Sequence, residues 1–130
     1  MTQREQLYLT AKRYCRAAED ALERNIRPQG LSASQGFLLL HVLREHPGGV
    51  TLTQLHQELG LAKATLSQVV KTLREKGYLR AAVCREDERQ RLLTPTEKLR
   101  KLRPELERAV RQADLALRQL ETQDERKDTT

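Results

Sequence analysis

Residues 51–80 constrain the fold of this chain more than any other stretch, because they combine two short amphipathic helical patterns with one glycine between them. Thr51 or Thr53 can cap the first helix, and Gly60 accepts the positive φ angle that a tight turn between two helices requires. Apolar residues on both sides of the glycine recur at helical spacing and can share one inner corner: Leu55, Leu59, Leu61, Leu66 and Val69. The spacing predicts a helix-turn-helix whose second helix covers about residues 62–76.

Two further helices precede this motif. Over about residues 3–25, apolar side chains recur every three or four positions and form one stripe: Leu7, Ala11, Tyr14, Ala18, Ala21 and Leu22. Pro28 and Gly30 end that helix, and Ser32 or Ser34 can cap the next one. The second helix contains the run FLLLHVL, which is apolar on nearly every side, and the HPGG sequence stops it. We therefore expect this second helix to be central and buried.

A hairpin and a long helix follow the motif. Residues 78–84 and 90–93 are compatible with β-strands and flank a charged turn, which predicts a short two-stranded wing over about residues 80–93. Thr94 resembles a helix cap, with Pro95 at the first helical position and Glu97 at the third. The helix that starts there keeps an apolar stripe to about residue 121, although Pro104 can kink or split it, and residues 122–130 are expected to fray.

These elements predict a mainly α fold in a single domain, residues 1–130. It would be a winged helix-turn-helix lobe, about residues 32–95, with a short two-stranded β-wing. The terminal helices, about residues 5–30 and 96–121, would be available for dimerisation, since the C-terminal stripe extends beyond the length needed to cover so small a lobe.

The positive charge is unevenly distributed along the chain. The net charge of +6 comes from 24 basic and 18 acidic residues, and residues 61–103 contribute +7 of it, against +1 for residues 1–60 and −2 for residues 104–130. A basic surface neutralises phosphates and releases counterions, so this concentration favours a nucleic-acid partner. The alternative is that these lysines and arginines only decorate solvated helix faces.

Composition excludes several other classes of protein. With 38% hydrophobic and 32% charged residues, the chain is too apolar for a disordered protein and too polar for a membrane protein. Its longest apolar run, residues 37–40, is far too short to span a bilayer, and the start MTQREQ has no signal-peptide core, so we expect a cytoplasmic protein. We also find no triad order, phosphate loop or carboxylate pair, and expect neither an enzyme nor a cofactor.

The second helix of a helix-turn-helix enters the major groove of DNA with its N-terminal residues leading. In this chain its outward face is small, polar and nearly free of acid: Lys63, Ala64, Thr65, Ser67, Gln68, Lys71 and Thr72. Gln68 can bond bidentately to an adenine edge, Thr65 and Ser67 can reach a base or a phosphate, and the two lysines suit phosphate or guanine. Double-stranded DNA is therefore the expected partner.

These residues also resemble a known family. The chain resembles the multiple antibiotic resistance regulators (MarR), which are winged-helix transcription factors. The resemblance lies in the order of the helices, the sequence LGLAKATLSQVVKTLREKGYLR, the Asp87-Glu88-Arg89 wing and the sequence LLTPTEK. The resemblance covers about residues 5–120. It implies a homodimer formed by the terminal helices, recognition helices in successive major grooves and wings in the minor grooves. It also implies an Asp-x-Arg wing motif, matched by Asp87 and Arg89, although Arg85, Arg89 and Arg91 all remain candidates for the arginine that enters the groove.

Such a protein is expected to be a repressor that an effector releases from a pseudo-palindromic operator. Only Tyr8, Tyr14, Phe37 and Tyr78 could supply aromatic walls for a small-molecule effector, and no ligand is identified. The alternative, from another functional class, is a winged helix that binds an acidic protein partner.

The cysteines and histidines support weaker hypotheses. Cys15 and Cys84 lie beside arginines, which would lower a thiol pKa on close approach, so each is a candidate redox sensor as well as an ordinary cysteine. The resemblance adds that some family members sense peroxide through a first-helix cysteine. The three histidines show no i, i+4 pair, and we expect no metal because a site would need acidic partners that the sequence does not indicate.

Overall fold

The computed structural model describes residues 1–128 and confirms the predicted mainly α, winged helix-turn-helix class. The helices are α1 (Gln3–Ile26), α2 (Ala33–Glu45), α3 (Leu52–Leu59), α4 (Lys63–Glu75) and α5 (Glu97–Asp128), and the strands are β1 (Val50–Thr51), β2 (Leu79–Val83) and β3 (Arg91–Pro95). Within these residues, no helix is both long and apolar enough to cross a membrane.

The chain divides into two compact units. The first contains residues 1–36 together with residues from 105 onward, and thus α1 and most of α5. Its core includes Leu22, Ile26 and Leu106, which surround Gly36 so closely that an added Cβ would collide with the Ile26 side chain. Ser32 caps α2 in this unit: its hydroxyl accepts from the Gln35 N–H at 3.2 Å, and the Gln35 side chain accepts from the Ser32 N–H at 2.9 Å.

A polar cluster ties α1 to the far end of α5. Tyr14 Oη donates a hydrogen bond to Asp124 Oδ2 at 2.8 Å, and Arg13 Nη2 donates to the same oxygen at 2.7 Å. The hydrogen bond from Tyr14, reinforced by the Arg13 charge, holds the pKa of Asp124 below its usual value. In the structure α5 continues as a helix through the segment from residue 122, which was expected to fray, as far as residue 128; residues 129–130 lie outside the described part.

The second unit, residues 37–104, contains the helix-turn-helix and the sheet. The predicted two-stranded wing is present as β2 and β3, and β1 adds a third strand that was not predicted, in the antiparallel order β1-β3-β2. Leu93 of β3 pairs with Val50 on one side and with Ala81 on the other. Gly49, at a φ of 120°, turns the chain into β1, and a side chain there would meet Leu92.

The start of α5 also differs from the prediction. Thr94 and Pro95 belong to β3, where they pair with Arg80 and Leu79, so the cap moves to Thr96. The Thr96 hydroxyl accepts from the Leu99 N–H at 3.3 Å and donates to the Gly77 carbonyl at 2.7 Å. The helix then continues through Pro104 without being split.

Candidate nucleic-acid interface

The turn of the helix-turn-helix is fixed at both ends. Thr51 and Gln54 form a reciprocal capping box at the start of α3, and Gly60 ends that helix at a φ of 69°. The His56 ring nitrogen Nδ1 lies 2.6 Å from the Leu61 carbonyl oxygen. Because a carbonyl oxygen only accepts hydrogen bonds, Nδ1 carries the proton and donates it to the Leu61 carbonyl. The imidazole therefore connects α3 to the linker that follows Gly60. The angle between α3 and α4 is therefore set by local contacts.

The inner corner of the motif is smaller than predicted. Leu55 and Leu66 are fully buried, but Leu59 and Val69 are only half-buried and Leu61 is 40% exposed. The buried residues of α4 are Leu66, Val70 and Leu73. Their spacing shows that the face of α4 that packs into the core is centred on Val70, one residue after Val69. Leu61 lies in the linker between the helices, so the prediction that it fills the corner is wrong.

The predicted outward face of α4 is largely present. Lys63, Ala64, Thr65, Ser67, Gln68 and Lys71 are all exposed. Thr72 is half-buried, and its hydroxyl donates to the Gln68 carbonyl at 3.2 Å, so this donor is already used within the helix. Ala62, at the N-cap, provides no side-chain acceptor for the first N–H groups of α4. The positive end of the helix dipole is thus left open beside Lys63.

The wing tip is organised around Asp87. Its Oδ1 accepts from the Arg89 backbone N–H at 3.0 Å and from Arg89 Nε at 3.3 Å, while Oδ2 accepts from the Gln90 side chain at 3.3 Å. The Arg89 N–H, followed by the Gln90 and Arg89 side chains, lowers the pKa of Asp87, so the carboxylate is ionised at neutral pH. The Arg89 side chain is 92% exposed, whereas Arg91 donates back to the Glu88 carbonyl at 3.3 Å. Arg85 is exposed.

A groove in the second unit lies between α4 and the wing and is lined by several positively charged side chains. Its cationic lining comes from Lys63, Lys71, Arg74, Arg89 and Arg91, with Ser67 and Gln90 between them. None of the lining residues in the described part of the chain is acidic. Arg74 was missed because the predicted face ended at Thr72, although Arg74 follows Lys71 by one helical turn. Ala64, Thr65 and Gln68 lie on the neighbouring exposed face of α4, outside this lining.

The two cysteines have different surroundings from those expected. Cys15 is exposed, but its thiol lies 3.5 Å from Glu19 Oε1, and this hydrogen bond and the Glu19 charge raise the pKa of Cys15. Glu19, and not an arginine, therefore sets the direction of this pKa shift, so the close approach of arginines that would activate the thiol is not seen in this arrangement. Cys84 is buried at the end of β2, with its thiol 3.7 Å from Glu86 Oε2.

Two of the three histidines meet an acidic residue that sequence analysis did not identify. Glu58 Oε2 lies 2.8 Å from Nε2 of both His41 and His46. The hydrogen bond from His41, followed by that from His46, lowers the pKa of Glu58. These partners lie 17 and 12 positions from Glu58 in the chain, and no short spacing motif connects them.

Comparisons with known proteins agree with this geometry. Residues 32–82 match the IclR helix-turn-helix domain, which covers the helix-turn-helix but not the terminal helices. The chain is similar to the HTH-type transcriptional regulator PetP from Rhodobacter capsulatus, with 39% identity over 72 residues. That segment covers 55% of this chain and 43% of PetP, so the similarity extends over less than half of the relative's length.

Two solved structures extend the similarity to most of the chain. Sco3205, a MarR family regulator from Streptomyces coelicolor in complex with DNA, is 27% identical, with a TM-score of 0.70 over 87% of this chain and 74% of that chain. BpsR from Bordetella bronchiseptica, whose DNA binding is regulated by 6-hydroxynicotinic acid, is 23% identical, with a TM-score of 0.75 over 90% and 82%. The IclR helix-turn-helix match and the MarR family structure agree that the chain has the winged helix-turn-helix fold of DNA-binding transcriptional regulators.

Proposed function

We propose that this protein is a dimeric, sequence-specific transcriptional regulator of the MarR type that binds double-stranded DNA. The observation that carries the proposal is the groove between α4 and the wing, which combines five cationic side chains with no acidic one among its described lining residues. Next to it lies the small polar face of α4. This pairing of phosphate-binding and base-reading groups is what a duplex requires.

In this proposal α4 enters the major groove and the wing reaches the adjacent minor groove. Gln68 and Thr65 contact base edges, while Lys71 and Arg74 contact phosphates on the side that faces the wing. The open N-terminal end of α4 adds a further phosphate site, with Lys63 beside it. Arg89 is the arginine that we place in the minor groove, because its side chain is 92% exposed at the wing tip, whereas Arg91 donates back to the Glu88 carbonyl.

Dimerisation is supported by apolar side chains that the single chain leaves exposed. Leu7 is 72% exposed and Tyr8 61% exposed on α1, and Leu115 is 50% exposed on α5. The stripe that buries Ala21 and Leu22 within the chain continues along α1 to Leu7. A second copy of the chain covers these residues and places two recognition helices on two half-sites.

We further propose a repressor that acts in the cytoplasm and is released from DNA by a small-molecule effector. BpsR, which shares the fold, provides a precedent for ligand-controlled DNA binding. Of the aromatic residues expected to form walls for an effector, Tyr8 and Phe37 are exposed, Tyr14 donates a hydrogen bond to Asp124, and Tyr78 lies under Lys98 Nζ at 4.6 Å.

A selection from random duplexes tests this function. We expect the purified chain to enrich a pseudo-palindromic sequence with half-sites about one helical turn apart. If no sequence is enriched while an acidic polypeptide binds saturably, the protein is instead an interaction module for acidic partners, and the DNA proposal is wrong.

A pair of Asp87 variants tests the role of the wing. Asp87→Ala removes both carboxylate oxygens that accept hydrogen bonds from Arg89 and Gln90, and we expect severalfold weaker DNA binding and faster amide hydrogen exchange over residues 84–90. Asp87→Asn keeps an oxygen for the Arg89 N–H and should lose less. Because folding lowers the pKa of Asp87, the ionised carboxylate orders the wing tip at every pH above its ordinary pKa of 3.8. This ordering is lost as the pH falls through the lower pKa of the folded state. Equal DNA affinity for all three proteins would exclude the wing from the interface.

A further inference from the structure

His41, His46 and Glu58 bring three metal-ligating groups to one point of the second unit. Their ligand atoms all lie within 4.8 Å of one another. The imidazole side chains are 18% and 16% exposed, whereas Glu58 is 37% exposed. The two nitrogens are therefore largely shielded, and the carboxylate forms the side through which an ion enters from solvent.

Local packing holds both imidazoles in place. The Phe37 ring, one turn earlier on α2, stacks on His41 with centroids 6.5 Å apart. His46 closes the end of α2: its N–H donates to the Val42 carbonyl at 2.9 Å and its carbonyl accepts from Gly49 at 3.0 Å. The two imidazole rings meet edge to face at 5.6 Å. Such preorganisation reduces the side-chain entropy that a bound ion would otherwise have to offset.

We propose that these three side chains bind one divalent transition-metal ion of the zinc class. Two imidazole nitrogens and one carboxylate oxygen form a ligand set that zinc accepts, and water completes the tetrahedron at the exposed side. In the ion-free chain each Nε2–H donates to Glu58; on binding, each ring moves its proton to Nδ1, and the Nε2 lone pair binds the ion.

The cluster lies between two helices of the second unit, so a bound ion would affect how these helices are held together. Glu58 lies on α3, the first helix of the helix-turn-helix, while His41 and His46 lie on α2 and at its end. A bound ion would link these two elements. None of the three residues lines the basic groove, so the site is separate from the proposed DNA contacts. The inference stands independently of the proposed function.

Zinc titration of the full chain by calorimetry tests the site. The protein is first treated with a chelator and carries Cys15→Ser, so that the exposed thiol does not compete. We expect one Zn²⁺ per chain, a raised unfolding temperature with Zn²⁺, and the visible absorption of four-coordinate Co²⁺ when cobalt replaces zinc. His41→Ala, His46→Ala and Glu58→Gln should each weaken binding by at least about tenfold.

Two controls keep the result interpretable. Glu58→Gln retains an oxygen that accepts hydrogen bonds from the imidazoles, so the fold is preserved while the charged ligand is lost; circular dichroism checks this. Glu45→Gln removes an exposed carboxylate at the end of α2 that lies outside the cluster and should leave zinc affinity unchanged. Absence of saturable zinc binding, or binding that the three cluster variants do not weaken, would overturn the proposal and leave Glu58 as a hydrogen-bond acceptor only.

Discussion

A Leu7→Glu chain is expected to be a monomer at concentrations at which the unmodified chain is a dimer. Leu7 is 72% exposed in the single chain, so its replacement removes little from the fold of one copy. In the proposed two-fold symmetric dimer both copies of Leu7 would be buried, and each leucine buried in this way would contribute about 1.5–3 kcal/mol. The loss of about 3–6 kcal/mol corresponds to roughly 10²- to 10⁴-fold weaker dimerisation, before the cost of burying a carboxylate is added.

Sedimentation equilibrium measures this effect, and circular dichroism verifies that the variant is folded. Gln6→Glu is the matched control, since it adds the same charge to the same turn of α1 without removing an apolar side chain. The Leu7→Glu monomer should also bind a two-half-site duplex no better than it binds one half-site. A folded Leu7→Glu chain that dimerises as tightly as the control would exclude the first turns of α1 from the interface.

A Gln68→Ala chain is expected to lose base discrimination at one position in each half-site. Gln68 is exposed on the outer face of α4. A bidentate side-chain contact to a base contributes about 1–3 kcal/mol of discrimination, and a dimer makes it twice, so about 2–6 kcal/mol is at stake for a palindromic site. The measurement is the affinity for duplexes that carry each of the four base pairs at every operator position.

Two further variants separate base reading from electrostatics. Lys71→Ala should weaken binding to all sequences similarly and reduce the slope of log affinity against log salt by about one per copy, because it removes a phosphate contact. Gln112→Ala, an exposed glutamine on α5, should change neither quantity. Unchanged base preference in Gln68→Ala would exclude Gln68 as a base-reading residue.

Sequence predicts the helices well because their signals are local. The capping residue Thr51 and the turn residue Gly60 determine where α3 begins and ends, and both act within one helical turn. Strand β1 has only two residues and exists through pairing with Leu93 and Leu92, far along the chain, so no local pattern reveals it. The misplaced cap of α5 has the same cause, since strand pairing keeps Thr94 out of the helix.

The same distinction between local signals and contacts far apart in the chain applies to the candidate sites. The exposed face of α4 could be predicted because it lies on one helix with a known period. The same period places Arg74 one helical turn after Lys71, but its position in the groove depends on the wing that folds beside it. The contact of Glu58 with His41 and His46 likewise depends on the packing of α3 against α2, which no spacing in the sequence encodes.

A competition titration tests the central claim most directly. A labelled duplex with the selected operator is bound by the full chain at about 150 mM salt and then displaced by the same unlabelled duplex, by a scrambled duplex of equal composition or by polyglutamate. We predict that the operator competes at least about 10³-fold more effectively than the scrambled duplex. Equal competition by the two duplexes, or more effective competition by polyglutamate than by the operator, would contradict sequence-specific DNA binding through α4 and the wing.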